Sequence, residues 1–201
     1  MLSKWLSALR RQLADPKRWR RWALDALVVF ALVGAISLWR TSGMADGMAP
    51  PLSGLRTDGS IVSLSGGIAT LPGSGESPPK LGAGRTAPAP ERARLVVFWA
   101  SWCKVCKVEA GNIEALAEDW PVISVAMQSG ERDEVAEYLE ERGLTVPALV
   151  DDDGVIAQAW GVHAVPAHFV VDAAGNIRFR VAGYATKWGL AARLWWASAF
   201  Q

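Results

Sequence analysis

The feature that most constrains this chain is a pair of cysteines at the junction of two different hydrophobic patterns. Cys103 and Cys106 are the only cysteines among 201 residues, and two residues separate them. The continuous apolar run 95–100 (LVVFWA) comes just before the pair and favours a buried strand, whereas apolar side chains recur at helical spacing over 104–120. The spacing therefore predicts that Cys103 lies at the start of a helix that follows a central strand.

This position has chemical consequences for both sulfur atoms. The unpaired N–H groups at a helix N-terminus favour an anion, so they stabilise a thiolate at Cys103, and Lys104 adds a positive charge beside it. Cys106 lies one turn further in, close enough to attack a mixed disulfide formed on Cys103. We therefore expect Cys103 to be exposed and reactive and Cys106 to be sheltered and resolving.

Glu109 extends the pattern, because it stands three residues after Cys106 and shares its helix face. A carboxylate beside the resolving thiol could accept and return its proton. The alternative is a solvated surface glutamate with no chemical role.

The cysteine pair could have three other uses. A structural disulfide across so short a loop would add little stability, because the loop-closure entropy it removes is small. A zinc site needs four ligands, and His163 and His168 do not fall at zinc-site spacing. A Cu(I) bis-thiolate remains open, since thiolates suit that ion. The residues favour thiol–disulfide exchange, with no metal and no cofactor.

Beyond the cysteines, strand and helix patterns alternate to the end of the chain. The order β-α-β-α-β-α-β-β-α predicts an α/β fold with a mixed sheet and helices on both faces. The expected strands are 95–100 and 122–127, a short strand leading into a turn within 147–154, and two more within 168–183. The expected helices are 104–120, 131–143, 155–160 and 187–198.

The N-terminal part of the chain has a different character. Residues 1–21 carry seven basic residues and one acidic residue, which leaves 14 basic and 19 acidic residues, a net charge of −5, for the remainder. An acidic main body argues against nucleic acid as a partner. The apolar run 22–39 would span roughly 27 Å as a helix, with Trp22 and Trp39 at its ends. It predicts a transmembrane anchor with the N-terminus in the cytoplasm; a cleaved signal peptide and a buried helix are the alternatives.

The sequence of residues 40–93 predicts a linker that contains one hairpin. Asp58 and Gly59 lie between short β-prone runs, which predicts a β-hairpin over 55–65. The segment 71–90 is rich in Gly, Pro and Ser and predicts a flexible loop. The main folded domain is accordingly expected at 94–201.

Two motifs resemble those of the thioredoxin fold, in its membrane-anchored TlpA/ResA/DsbE-like group of protein disulfide oxidoreductases. They are WCKVC at 102–106 and GVHAVPAHFVVD at 161–172. The resemblance implies that Pro166 is cis and lies against the cysteines, and that Val165 offers its backbone to a bound peptide. It also implies an active-site role for Glu109 and identifies the hairpin as the extension that this group adds.

Roles are also expected for the residues around the cysteines. Trp102 is expected to contact the substrate protein, and Lys104 and Val105 to tune the redox potential. Two positions depart from the pattern: Val97 stands where thioredoxin has a buried aspartate, and His168 stands where the group tends to have an apolar or aromatic residue, so no role is predicted for it.

The function implied is that of an inner-membrane, periplasm-facing thiol–disulfide oxidoreductase acting on protein thiols and disulfides. A DsbD-like transmembrane reductase would keep it reduced. The segments 124–130 and 183–197 also resemble the suppressor-of-copper-sensitivity group, which implies a reductase active in copper tolerance. The alternatives are a thiol reductant for cytochrome c maturation and, from another class, a Cu(I)-binding or chaperone module that uses the cysteine pair.

Overall fold

The computed structural model describes residues 16–64 and 92–200. The predicted loop 71–90 and most of the basic segment lie outside these residues. The chain divides between Ser42 and Gly43 into two compact units, which are described separately.

The first unit contains a single described helix, α1 (Pro16–Thr41), which includes the apolar run predicted to be helical. Many of its apolar side chains are exposed, Phe30 at 81% among them. Within the described residues, no helix combines the length and the apolar character that a membrane crossing requires. The helix is therefore confirmed, and the transmembrane anchor is not.

The second unit is an α/β domain. Its strands are β1 (Gly47–Met48), β2 (Leu52–Leu55), β3 (Ile61–Leu64), β4 (Arg94–Trp99), β5 (Val122–Met127), β6 (Ala148–Asp151), β7 (Ala167–Val171) and β8 (Asn176–Ala182). Its helices are α2 (Lys104–Ala117), α3 (Arg132–Glu141), α4 (Val155–Ala159) and α5 (Lys187–Ala199). Every element expected from 95 onwards is present, and only the ends differ by a few residues.

Six strands form one mixed sheet in the order β1-β8-β7-β4-β5-β6. Strands β4, β5 and β6 run parallel, as the intervening helices require, while β7, β8 and β1 are antiparallel. The central strand β4 pairs Val97 with His168 of β7 and with Ser124 of β5. The predicted mixed sheet is thus confirmed, with β4 at its centre and the cysteines immediately after it.

The two faces of this sheet carry different cores, because side chains alternate along each strand. On the helix side, Leu95 and Val97 of β4 pack with α2 and α5. On the hairpin side, Val96 and Phe98 pack with the hairpin and with Trp160 after α4. We call these the helix-side core and the hairpin-side core.

The hairpin of β2 and β3 confirms the prediction made from Asp58 and Gly59. Leu55 pairs with Ile61, and Gly59 takes a φ of +78° in the turn, which favours glycine. Leu52 and Val62 are buried in the hairpin-side core. One face of the sheet is therefore covered largely by a hairpin, where the sequence predicted helices on both faces.

The domain also begins earlier than residue 94. Strand β1 extends the sheet at its edge by pairing with β8. Met44 and Ala49 are buried in the hairpin-side core, and the N–H of Ala45 donates to the carbonyl of Trp160 at 2.9 Å. The stretch from Gly43 is consequently part of the domain, because its few apolar residues complete a core that the later strands leave open.

Candidate active site

The two cysteines lie at the start of α2, directly after the central strand. They form a disulfide, with their Cα atoms 5.3 Å apart. Cys103 is the N-cap of α2, and its Sγ accepts the N–H of Cys106 at 3.1 Å. The predicted placement of Cys103 at the positive end of a helix is confirmed.

The exposure of the cysteines corrects one expectation. Cys103 and Cys106 are each only 7% exposed, so the prediction of an open nucleophile beside a sheltered one is wrong in the oxidised form. Ala100 and Trp99 pack around both residues and limit their access to solvent. What distinguishes the two sulfur atoms is the helix terminus, which acts on Cys103.

Val165 and Pro166 lie against the disulfide, as the resemblance implied. The peptide bond between them is cis. The Val165 carbonyl oxygen is 3.7 Å from the Sγ of Cys103, and the Val165 side chain packs against the cysteine cluster. Half-buried Val165 thus offers its backbone next to the sulfur atom that a substrate would approach.

Exposed side chains surround the disulfide on the solvent side. Trp102 is 58% exposed, yet its ring is held in place because its indole N–H donates to the carbonyl of Gln128 at 2.9 Å. Lys104 and Val105 are also exposed, beside the cysteines. Val108, one turn along α2, is exposed as well and extends the apolar surface.

Glu109 is not the solvated helix glutamate of the alternative interpretation, because it is 2% exposed. One carboxylate oxygen, Oε2, lies 3.0 Å from Nε2 of His168. The other, Oε1, accepts the N–H of Ala185, which precedes α5. His168 is fully buried, and its Nδ1 lies 3.3 Å from the carbonyl oxygen of Val181.

Sequence reasoning left His168 without a role, although a signal was present. His168 stands two residues after Pro166, in a strand whose other residues are all apolar. A buried histidine requires hydrogen-bond partners. In the sheet, His168 of β7 pairs with Val97 of β4, the position at which thioredoxin has a buried aspartate. The buried ionisable side chain of this protein therefore lies on β7, next to the strand on which thioredoxin carries it.

A small cavity of about 40 Å³ lies beside Cys106 on the helix side, and Glu109 also lines it. Two more titratable side chains border the cavity. Glu114 accepts hydrogen bonds from the Thr145 hydroxyl at 2.6 Å and from two backbone N–H groups. Burial raises the pKa of the Tyr138 phenol above its ordinary value, although Arg142 opposes the shift, so this ring stays neutral.

Metal binding finds no additional support around the cysteines. In the parts of the chain that the structure describes, no group of three or more His, Cys, Asp or Glu side chains is placed to hold an ion. A two-thiolate site would need only Cys103 and Cys106, so the Cu(I) alternative is not tested by this observation.

Comparison with known families agrees with the strand, the cysteine pair at a helix N-terminus and the cis-proline beside it. Residues 88–180 match the AhpC/TSA family. The fold of the domain is thioredoxin-like. The match begins just before β4 and ends in β8, so it contains both cysteines, Glu109, Pro166 and His168.

Relatives of known name are similar to part of this chain. The thiol:disulfide interchange protein HelX of Rhodobacter capsulatus is 39% identical over 97 residues, 48% of this chain and 55% of its own length. A thioredoxin-like protein of Haemophilus influenzae is 32% identical over 107 residues, 53% of this chain and 64% of its own length. The chain therefore spans between about half and two thirds of these relatives.

A solved structure shows the same fold. The thiol:disulfide interchange protein of Chlorobium tepidum superposes with a TM-score of 0.57 at 19% identity, over 77% of this chain and 97% of its own. At this level of identity the likeness establishes the thioredoxin-like fold and nothing about substrates.

Proposed function

We propose that this protein is a thiol–disulfide oxidoreductase that exchanges electrons with protein thiols and disulfides through Cys103 and Cys106. The observation that carries the proposal is the disulfide at the N-terminus of α2, opposite the carbonyl of Val165. The names of the relatives, which describe thiol:disulfide interchange, support it.

The first step follows from the surroundings of the disulfide. A partner thiolate attacks the Sγ of Cys103, the S–S bond breaks, and its electron pair stays on Cys106. The helix terminus favours negative charge on Cys103, so Cys103 is also the better leaving group when the mixed disulfide is later resolved. A second thiol of this electron donor then attacks the mixed disulfide, so the donor leaves oxidised and Cys103 and Cys106 are left reduced. In the second half of the cycle the Cys103 thiolate attacks a substrate disulfide, and Cys106 attacks the resulting mixed disulfide. The substrate leaves reduced, and the bond between Cys103 and Cys106 forms again.

Substrate binding is proposed for the exposed surface beside the disulfide. An extended peptide could pair with the backbone at Val165, as a strand added to an edge. Trp102 would cover one side of that peptide, because its ring is exposed and held in place by Gln128. Lys104 and Val105, which stand between the cysteines, are proposed to tune the potential.

Cysteine substitutions test the division of labour. In the full-length chain, Cys106→Ala should trap mixed disulfides with partner proteins, since the resolving thiol is gone. Cys103→Ala should trap none. A chain in which neither variant forms mixed disulfides, and in which both thiols alkylate at the same rate, would contradict the proposal.

The direction of electron flow is proposed to be reductive, with electrons supplied by a DsbD-like transmembrane reductase. A disulfide in an oxidising compartment stays oxidised unless a dedicated donor reduces it. Titration of the full-length chain in glutathione buffers should give one two-electron transition. A transition well below the potential of the surrounding compartment supports the reductive direction, and one well above it supports an oxidant.

Stoichiometric Cu(I) binding without thiol exchange would instead support the copper-binding module. The role in copper tolerance stays a prediction, which rests on the resemblance of the C-terminal segment. A role in cytochrome c maturation is the alternative hypothesis. Growth of a deletion strain on copper, compared with its content of c-type cytochromes, separates these two roles.

Periplasmic location and membrane attachment through α1 also stay predictions. The basic segment before α1 and the exposed apolar side chains of α1 support them. A reporter active only in the periplasm, fused after residue 201, should be active in the membrane fraction. Activity in the soluble periplasmic fraction would show instead a released domain, and an inactive reporter would show that the domain is cytoplasmic.

A further inference from the structure

The buried contact between Glu109 and His168 leads to an inference that rests on the proposed function. We propose that these two side chains hold one shared proton, and that this Glu109–His168 pair, rather than the glutamate alone, supplies and recovers the proton of Cys106. His168 is then a positioning residue, which acts on Cys106 only through Glu109.

The proton count follows from the hydrogen-bond partners. Nδ1 of His168 faces the carbonyl oxygen of Val181, which can only accept, so Nδ1 carries a hydrogen. Oε1 of Glu109 already accepts the N–H of Ala185. The remaining contact joins Nε2 to Oε2 at 3.0 Å, and it needs one hydrogen. Two hydrogens would set two donors against each other, and none would set two acceptors against each other.

The pair is therefore neutral overall, whichever atom holds the shared hydrogen. An imidazolium facing a carboxylate and an imidazole facing a carboxylic acid both have no net charge. Neutrality matters because Glu109 is 2% exposed and His168 is fully buried. An unpaired charge at either position would be costly in this environment.

The elements packed around the pair supply no competing charge. From β4 the neighbour is Val97, from β8 the backbone of Val181, and from the segment before α5 the backbone of Ala185. In the described part of the chain, the ion pair of His168 and Glu109 includes no third charged side chain.

Two titratable groups share the cavity with Glu109 and Cys106, and neither replaces the pair. Glu114 is held by its own hydrogen bonds from Thr145 and Val146. Tyr138 stays neutral because burial raises its pKa. Cys106 is consequently the titratable group with which the pair is placed to exchange a proton, one helical turn away on the same face.

The step balances as follows. A dithiol partner, as thiolate, attacks the Sγ of Cys103, the S–S bond breaks, and Cys106 keeps the electron pair. The shared proton moves from the pair to Cys106, so that the pair carries a charge of −1 and recovers a proton from solvent. In the reverse direction, the pair first releases its proton to solvent, Cys106 then attacks the mixed disulfide, and the proton of Cys106 passes to the pair, which is neutral again.

The shared hydrogen can be observed directly in the full-length wild-type chain. The chain has two histidines, and His163 is exposed, so it serves as the internal control. Nitrogen-15 NMR of labelled histidines in the wild type should show an exchange-protected, strongly downfield hydrogen on Nε2 of His168 and none on His163, and the signal should persist in the His163→Gln variant, which assigns it to His168. A ring with a rapidly exchanging Nε2 hydrogen would overturn the shared-proton assignment without any variant at the site.

Kinetics test whether the proton is used. Reduction of the chain's own disulfide by dithiothreitol, expressed per reductant thiolate, should be nearly independent of pH between 6 and 8 in the wild type. His168→Gln keeps a donor for Glu109 but removes the mobile proton, so reduction should be slower by about tenfold or more and should slow further as the pH rises. His163→Gln should behave as the wild type does.

Glu109→Gln provides the second variant in case His168→Gln does not fold. It should reproduce the slow, pH-dependent reduction, and the double variant should be no slower than either single variant, because the two residues act as one unit. A folded His168→Gln protein with wild-type rate and pH profile would overturn the proposal. If the wild type reduces no protein disulfide but the effect of His168→Gln persists with dithiothreitol, the proposed function fails and the pair stands.

Discussion

The two faces of the central sheet use the same strands for opposite purposes. Along β7, Phe169 points into the hairpin-side core, where it packs edge-on to Trp160 with ring centroids 4.8 Å apart. Its neighbour His168 points to the other face, where it meets Glu109 beside Cys106. His168 and Phe169 are adjacent in β7, so the buried ionisable pair and the aromatic core lie on opposite faces of the same strand. The comparison teaches that both faces carry a buried core, while the hairpin side holds the aromatic cluster around Trp160 and the helix side alone adds a buried ionisable pair beside Cys106.

The largest effect is expected from removal of the central aromatic residue of the hairpin-side core. Trp160 is fully buried and contacts both Phe98 and Phe169. Trp160→Ala leaves a cavity and should cost about 3–5 kcal/mol of unfolding free energy. Urea denaturation of the full-length chain, followed by circular dichroism, measures it.

A changed redox chemistry in this variant would contradict the separation of roles between the two faces. The dithiothreitol reduction rate of the folded Trp160→Ala protein should equal that of the wild type, because the substitution lies on the other face from Glu109. Trp188→Ala is the matched control, since Trp188 is 81% exposed and its loss should change stability by no more than about 0.5 kcal/mol. Equal losses for the two tryptophans would contradict a stabilising role for the buried aromatic cluster around Trp160.

A second, smaller effect is expected where the start of the domain joins the hairpin side. Gly161 has a φ of +65°, and a Cβ there would meet the carbonyl oxygen of Gly43. Gly161→Ala should therefore cost about 2 kcal/mol or more, part of it backbone strain of roughly 1–2 kcal/mol and the rest displacement of the segment that contains Met44.

A substitution at Gly143 tests the backbone strain alone, without displacement of the segment that contains Met44. Its φ is +63°, but a Cβ there would meet no atom within 4 Å. Gly143→Ala should show the strain alone and cost about 1–2 kcal/mol, and limited proteolysis near residue 43 should increase only in Gly161→Ala. Identical behaviour of the two variants would show that the N-terminal segment adds no stability through this contact.

The third effect concerns the cap of α4, at the edge of the hairpin-side core. Asp151 is 2% exposed and accepts the N–H groups of Ile156 and Ala157, both at 2.8 Å. Asp151→Asn keeps the shape but replaces one acceptor oxygen, so it should cost about 1 kcal/mol.

Asp153 is the control for this cap, because it is exposed and accepts only the N–H of Val155 at 3.2 Å. Asp153→Asn should change the unfolding free energy by a few tenths of a kcal/mol at most. A larger loss for Asp153 than for Asp151 would show that the buried carboxylate is not the cap of α4.

These cases show which parts of the molecule could be predicted from sequence. Alternating patterns and turn residues carry local information, so the order of elements after residue 95 and the Asp58–Gly59 turn were predictable. The burial of Met44 was not, because its local sequence resembles a linker and its core is formed by strands far along the chain. The equal burial of Cys103 and Cys106 also depends on packing from distant residues.

The candidate site divides in the same way. The spacing of Cys103, Cys106 and Glu109 places them on one helix, so their proximity follows from sequence. The contact of Glu109 with His168 joins residues 59 positions apart, and it depends on the register of β7 against β4. A single histidine in an apolar strand signals that a partner exists, but only the register identifies the partner.

The smallest effect is expected at the hairpin turn, which is exposed. Asp58 accepts hydrogen bonds from the hydroxyl and the N–H of Ser60, and the hydroxyl bond is the main cause that lowers the pKa of Asp58 below its ordinary 3.8. A lowered pKa in the folded state means that the ionised form stabilises the fold. This contribution is present above the ordinary pKa and is lost as the pH falls through the lowered value.

Asp58→Asn should therefore be slightly less stable than the wild type at neutral pH, by less than about 0.5 kcal/mol because the turn is exposed. The difference should vanish in acid, and Ser60→Ala should reduce it at neutral pH. Urea unfolding at several pH values measures this, and a difference that persists or grows in acid would show that the carboxylate does not act through the turn.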